Sequence, residues 1–365
     1  MTKLLTLFAA GVLLLTTAPR RAAAIPVFAH RYGYSCQQCH TTIPHLNGFG
    51  QRFLRNGFRL PGPAPEDTHA LKIALASNLA YTSEPDPTGL SKAIVDEVEL
   101  LTGGSYGHFS YFGDSYIVDG GRPGSFRDAW ASYWTTPSQA GNVLRLKVGN
   151  MGLPLPVDPE VFRETENHYA IFDQTVGSNP FRFFDPHFGS ELAFGNPNQG
   201  LDAHVLVLKS HDPQSGLPDS GFDKMASLQW NMPALTLSTY GYSGSRPLGG
   251  ARDAFSRYGL GLSTRTGRYG SDVVVQQGID NNADGLGTFV RSSGGFVQFR
   301  WEFSRALAGI VRYDGIEDSA GNFSRSATFA VNRRLGRNAR LTVEDVVTHA
   351  PATKNTLNAG LLFAY

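Results

Sequence analysis

From residue 70 to the end of the chain, apolar and polar side chains alternate with a period of two in sixteen successive runs. Val297, Phe299, Trp301 and Phe303 point one way while Gln298, Arg300 and Glu302 point the other. Leu144, Leu146 and Val148 oppose Arg145 and Lys147, and Ala226, Leu228 and Trp230 oppose Ser227, Gln229 and Asn231. Ala327, Phe329 and Val331 likewise oppose Ser326, Thr328 and Asn332. Period two is the signature of strands, whose successive side chains leave opposite faces. No stretch of the mature chain reaches the roughly 18 consecutive apolar residues of a membrane helix. Charged residues are only 17% of the chain, against about 25% in ordinary soluble domains, and glycine is abundant at 41 residues. Runs of about ten alternating residues fit strands of a transmembrane β-barrel. A soluble β-sandwich alternates too, so the connections have to decide.

The runs lie near 71–82, 93–102, 106–118, 126–135, 143–150, 189–196, 201–209 and 222–232, then 234–243, 254–265, 269–279, 294–303, 305–314, 324–334, 338–348 and 354–365. Connections alternate in length. One set (83–92, 119–125, 151–188, 210–221, 244–253, 280–293, 315–323, 349–353) is mostly long and rich in Gly, Pro, Asp and Ser. The other set is short. Long outside and short inside is the rule for outer-membrane barrels, and an even strand count returns both termini to the periplasm. The last run ends on a face of Leu357, Ala359, Leu361, Phe363 and Tyr365. The expected fold is therefore all-β: an up-and-down antiparallel transmembrane barrel of about sixteen strands. Two runs misfit. Asp128 falls with Trp130 and Trp134, and Asp345 with Leu341, Val343 and Val347; a lipid-facing charge is costly, so bulges or a shifted register are expected at both.

The amino end reads differently. Lys3, an apolar stretch from Leu4 to Thr17 and Ala22-Ala23-Ala24 make residues 1–24 an expected export signal. The chain's only two cysteines, Cys36 and Cys39, are followed at once by His40. C-x-x-C-H is the attachment signature of c-type haem: two thiols one turn apart capture both vinyl groups, and the adjacent imidazole lies beneath the iron as proximal ligand. Three other uses of these residues stand beside it: a local disulfide, a thioredoxin-type redox pair, and zinc held by Cys36, Cys39 and two of His30, His40 and His45. For a sixth iron ligand, His45 falls on the side of His40, His30 is far enough upstream to wrap to the opposite face, and Met151 serves if its segment folds inward. Residues 41–65 add apolar mass around a short helix, ended by Pro61, Pro63 and Pro65. The expected layout is a signal over 1–24, a monohaem cytochrome c segment over 25–65 and a barrel over 70–365.

Sixteen strands enclose a wide, wet lumen unless something fills it. The haem segment is one filler. The other is 151–188, the longest connection, carrying Asp158, Glu160, Glu164, Glu166, His168, Asp173, Asp185 and His187. It is either a solvated outer flap or an inward, carboxylate-lined approach to the haem, suited to hydrated divalent cations.

The segment Ile25-Pro26-Val27-Phe28-Ala29-His30-Arg31-Tyr32-Gly33-Tyr34-Ser35-Cys36-Gln37-Gln38-Cys39-His40 resembles the fused cytochrome–porin family, the outer-membrane monohaem cytochromes of iron-oxidising bacteria. The likeness continues through Pro44-His45-Leu46-Asn47-Gly48-Phe49-Gly50-Gln51-Arg52-Phe53 and Gly57-Phe58-Arg59-Leu60. It implies one covalent haem c near or inside the barrel, on Cys36, Cys39 and His40, and electron flow from outside to periplasm. The expected partners are extracellular Fe(II) or another redox donor, a periplasmic c-type cytochrome and outer-membrane lipid. The net charge of +1 gives no footprint for nucleic acid. The alternatives are a diffusion porin whose haem segment is a plug or sensor, and a conduit sending electrons outward.

Overall fold

The computed structural model describes residues 26–60, 73–84, 93–211, 218–248 and 250–364. The expected export signal over 1–24, the proline-containing stretch 61–72 and Tyr365 lie outside them, as does the side chain of His30.

The amino-terminal segment holds helices α1 (Pro26–Tyr32) and α2 (Cys36–Cys39), a small hairpin of β1 (His40–Thr42) and β2 (His45–Leu46), and helix α3 (Gly48–Arg55). Asn47 caps α3, its side-chain oxygen accepting from the backbone N–H of Phe49 at 2.9 Å and of Gly50 at 3.0 Å. The barrel strands follow: β3 (Ile73–Thr82), β4 (Ala93–Tyr106), β5 (Phe109–Asp119), β6 (Phe126–Trp134), β7 (Val143–Met151), β8 (His187–Gly195), β9 (Gly200–His211) and β10 (Pro218–Asn231). They continue as β11 (Leu235–Leu248), β12 (Ala251–Thr266), β13 (Tyr269–Asp280), β14 (Val290–Ser304), β15 (Leu307–Asp318), β16 (Phe323–Leu335), β17 (Ala339–Ala350) and β18 (Ala352–Ala364). These sixteen strands close into one antiparallel barrel, each pairing with its sequence neighbours and β18 pairing back onto β3.

Closure leaves no sheet edge, so the ladder satisfies the backbone without water. The alternation read from the sequence then sorts the side chains. Leu144, Leu146, Val148, Phe299, Trp301 and Phe303 are exposed on the outer wall, whereas Arg145, Gln298 and Arg300 are buried in the lumen. An apolar outside and polar inside is the pattern of a barrel that spans lipid. Among the described residues no helix is long and apolar enough to cross a membrane; the strands do the crossing.

Three expectations need correction. Asp128 does not face lipid, since it shares the lumen wall with Trp134 and Trp130; the bulge expected in its run is present, between Gly113 and Ser115 of the facing strand. Asp345 does stay on the outward face, opposite Phe329 and Leu357, and no bulge turns it inward. Several stretches expected as long loops are strand instead. The pairing of β11 with β12 runs out to Leu248↔Ala251, because a ladder needs only backbone N–H and C=O, which Gly, Ser and most polar residues supply as well as Val.

The lumen is filled. The connection between β7 and β8 does not stand out as a solvated flap; it folds inward, with one short helix α4 (Ala170–Asp173). Its Leu153, Leu155, Tyr169, Phe172, Phe181 and Phe183 pack on lumen-facing Leu206, Leu208, Met225, Tyr242, Phe255 and Phe296 in one buried apolar cluster. At these positions the wall is therefore apolar on both faces. The amino-terminal segment occupies the lumen at the end where the first and last strands meet it, with Cys36 and Ile43 clustered on Leu362 of β18.

Candidate functional site

The C-x-x-C turn forms α2, so Cys36 and Cys39 lie one turn apart. Both carry thiols, Cys36 buried and Cys39 half-buried. Burial pushes the Cys39 thiol up to about 11, the opposite of the depressed value a thioredoxin-type nucleophile needs. Helix α3 packs so closely on this turn that a side chain at Gly50 would run into the Cys39 carbonyl. His40 leaves the helix into β1 and is buried. Its Nδ1 donates to the Pro44 carbonyl at 2.7 Å. That bond fixes the ring and leaves Nε2 as its lone-pair nitrogen, the arrangement found beneath metal-bound histidines. Burial holds the imidazole down at about 4, so it is neutral above that pH.

Cys36, Cys39 and His40 line a lumenal cavity of about 880 Å³, inside the roughly 300–1,000 Å³ range of small-molecule and cofactor sites. The residues thus fit a tethered haem in thiol spacing, imidazole orientation and room. His45 lines the same cavity; its Nδ1 is 3.6 Å from Glu164, too far for a hydrogen bond. Burial, with the Arg300 and Arg265 cations, pushes His45 well below the ordinary histidine range. Met151 is fully buried at the end of β7 opposite His187 and does not line the cavity. Met232, which the sequence reading placed only within a strand pattern, does line it. The side chain of His30 lies outside the described residues. Among the described residues no three His, Cys, Asp or Glu side chains gather as a metal cage.

The segment is docked by its backbone and its aromatics. The Phe58 ring lies between Phe28 at 4.4 Å and Trp130 at 5.8 Å. Ser110 donates to the Gly57 carbonyl at 2.5 Å and Asn198 to the Asn56 side chain at 2.7 Å. Gly57 itself has φ +64°, and a methyl group there would meet the Trp134 indole at 2.5 Å. Gly57→Ala should therefore loosen the docked segment by at least the roughly 1–2 kcal/mol of a left-handed L-residue. Limited trypsin cleavage after Arg59 should then be about tenfold faster; an unchanged rate would show that Gly57 does not hold the segment.

The inward loop is fastened to the wall by charge. Glu164, fully buried, pairs with Arg300, which also donates to Thr41 of the amino-terminal segment at 3.1 Å. Burial pushes the Glu164 carboxyl up and Arg300 pulls it back. Against its own burial, Glu166 is held low by Arg340 and Arg163. Glu160 pairs with Arg127, and Asp173 and Asp185 both pair with Arg182. His168 stacks on Phe184 at 4.7 Å and His187 tilts against Phe181 at 5.4 Å. Most loop carboxylates expected to face a cation are thus already neutralised; Asp158 is the exception. Leaving one member of a buried pair such as Glu164–Arg300 alone costs about 3–5 kcal/mol, which holds the loop to the wall; the Arg182 pairs lie within the loop and are about a third exposed. The Glu164–Arg300 and Glu166–Arg340 pairings join residues more than a hundred positions apart, and nothing in the sequence marks them.

The sequence matches no protein-family model and no curated protein. The fold does have relatives among solved structures. The anion-selective porin from Comamonas acidovorans is similar at a TM-score of 0.61 and 13% identity, over 81% of this chain and 99% of that one. The outer-membrane OmpT of Vibrio cholerae gives 0.60 and 9%, over 83% and 100%. The outer membrane channel DcaP of Acinetobacter baumannii gives 0.56 and 10%, over 84% and 100%. At these identities the likeness is one of fold: this chain is built as a porin-type barrel.

Proposed function

We propose that this chain is an outer-membrane electron-transfer protein. It would carry one haem c on Cys36 and Cys39 with His40 as proximal ligand, in a porin-type barrel, with the haem segment in the lumen at the periplasmic end. The observation that carries the reading is the placement of the chain's only two cysteines and the Pro44-bonded His40 together on one lumenal cavity. A haem held there supplies a one-electron ferric–ferrous couple. The chain's own part is tethering, burial and access. His40 is oriented by Pro44, the Phe28–Phe58–Trp130 stack seals one side, and the inward loop brings Phe162 to 5.6 Å from the His45 ring. Extracellular Fe(II), or a similar donor, gives up one electron and leaves as Fe(III); a periplasmic c-type cytochrome takes that electron on. The resemblance to the fused cytochrome–porin family points the same way.

The second reading is a diffusion channel with the amino-terminal segment as plug or sensor, and the likeness to porins favours it. The apolar packing of the inward loop on the β9–β14 wall, which narrows the lumen there, weighs against it. Anaerobic addition of Fe(II) to the purified protein, with the visible spectrum recorded, tests the first reading. Ferrous haem bands should appear. Their absence where Fe(II) is a competent donor removes iron as donor; a low midpoint potential would instead turn the flow outward.

A further inference from the structure

The cavity has a second face, formed by β4, β5, β6 and the start of the inward loop. Glu97, Glu99, Asp114, Asp128, Asp158 and Glu160 all line it. Glu97 is 3.4 Å from Arg163, and Glu160 pairs with Arg127. Among the described residues, Glu99, Asp114, Asp128 and Asp158 make no ion pair with a basic side chain, unlike the other carboxylates of the cavity. Asp128 accepts only from the Gly152 N–H at 3.0 Å, and Asp158 from Glu160 and Val161 N–H at 2.9 Å each. Asp114 is 6% exposed and its Oδ1 has no hydrogen-bond partner. A buried carboxylate oxygen with no donor is rare and calls for an ion, a water or a proton.

Strand register brings these groups together. Asp114 pairs with Leu101, two residues along β4 from Glu99, and its neighbour Gly113 pairs with Ala129, next to Asp128. Bulges fall at Val98/Glu99 and at Gly113/Ser115, and bulges re-aim side chains beside functional sites. We propose that Glu99, Asp114, Asp128 and Asp158 form an exchangeable binding wall for a hard, hydrated divalent cation. Carboxylates select hard cations. No three of them converge as a cage, so the ion keeps part of its water, as small divalent ions do. A site of this kind loads and releases quickly. The binding step needs no haem; only its use as the place where a donor ion waits rests on the electron-transfer reading.

Mn(II) is the probe. The full-length purified protein in detergent is titrated with Mn(II) near neutral pH, and free ion is read by electron paramagnetic resonance. The parent should deplete the free signal. The Asp114→Asn/Asp128→Asn protein should bind about tenfold or more weakly, and Asp345→Asn, on the outer wall, should bind like the parent. Heat-modifiable gel mobility shows that each barrel is folded. If the double variant fails that check, the single proteins Glu99→Gln and Asp128→Asn carry the comparison. Equal affinity in parent and folded variants, or no binding to the parent, overturns the proposal and leaves the carboxylates holding protons. Haem stain on the same samples separates the two ideas: Mn(II) binding without stain keeps the cation wall and ends the electron-transfer reading, and stain without binding does the reverse.

Discussion

Serine in place of both Cys36 and Cys39 is expected to abolish covalent haem completely, with no peroxidase-active band after denaturing electrophoresis. A thioether needs a cysteine sulfur, and the sequence offers only these two. Either single variant should keep one bond and a weaker band. His40→Ala should keep the tether but lose the proposed axial nitrogen, leaving a stained band with a changed visible spectrum, because the Pro44-bonded ring presents its Nε2 as the free nitrogen. None of these changes should unfold the barrel, whose sixteen-strand ladder does not run through the segment. The parent protein is the sharpest control. A parent without stain, purified from a host able to mature c-type cytochromes, would end the haem reading whatever the variants did.

Removal of residues 26–60 is the second large effect. In the parent, the segment and the inward loop together fill the lumen, and planar-bilayer recordings should show little more than leak. Without the segment, its docking surface at Ser105, Ser110 and Trp134 faces water, and the 880 Å³ cavity opens at one end. Discrete open-channel steps should then appear, as expected of barrels this wide. Parent channels already as open as the deletion protein would favour the diffusion reading.

The barrel was legible because one local rule repeats. In β14 the outward Phe299, Trp301 and Phe303 and the inward Gln298 and Arg300 follow from period two alone, and the same holds for most strands. The placement of Cys36, Cys39 and His40 on one turn was legible because the C-x-x-C-H motif is five consecutive residues. What lay hidden depends on pairing across distance. Leu206 and Leu208 face the lumen while Val205 and Val207 face out; a run apolar on both faces signals double burial, yet does not say against what. Glu99, Asp114 and Asp128 sit on three strands, and only the register and its bulges make them neighbours. The Glu164–Arg300 pair joins a loop to a strand 136 positions away. Asp128 was misjudged because its strand offers aromatics to both sides, Tyr133 outward and Trp134 inward.

The seam between β18 and β3 has a bearing on biogenesis. Cys36, only 4% exposed, packs with Ile43 on Leu362 of the final strand. On the electron-transfer reading, a group bonded to Cys36 would be easier to install before that seam is zipped, because afterwards the sulfur is reached only through the lumenal cavity. On that reading attachment would come ahead of barrel closure, and the last strand would close over a head already complete.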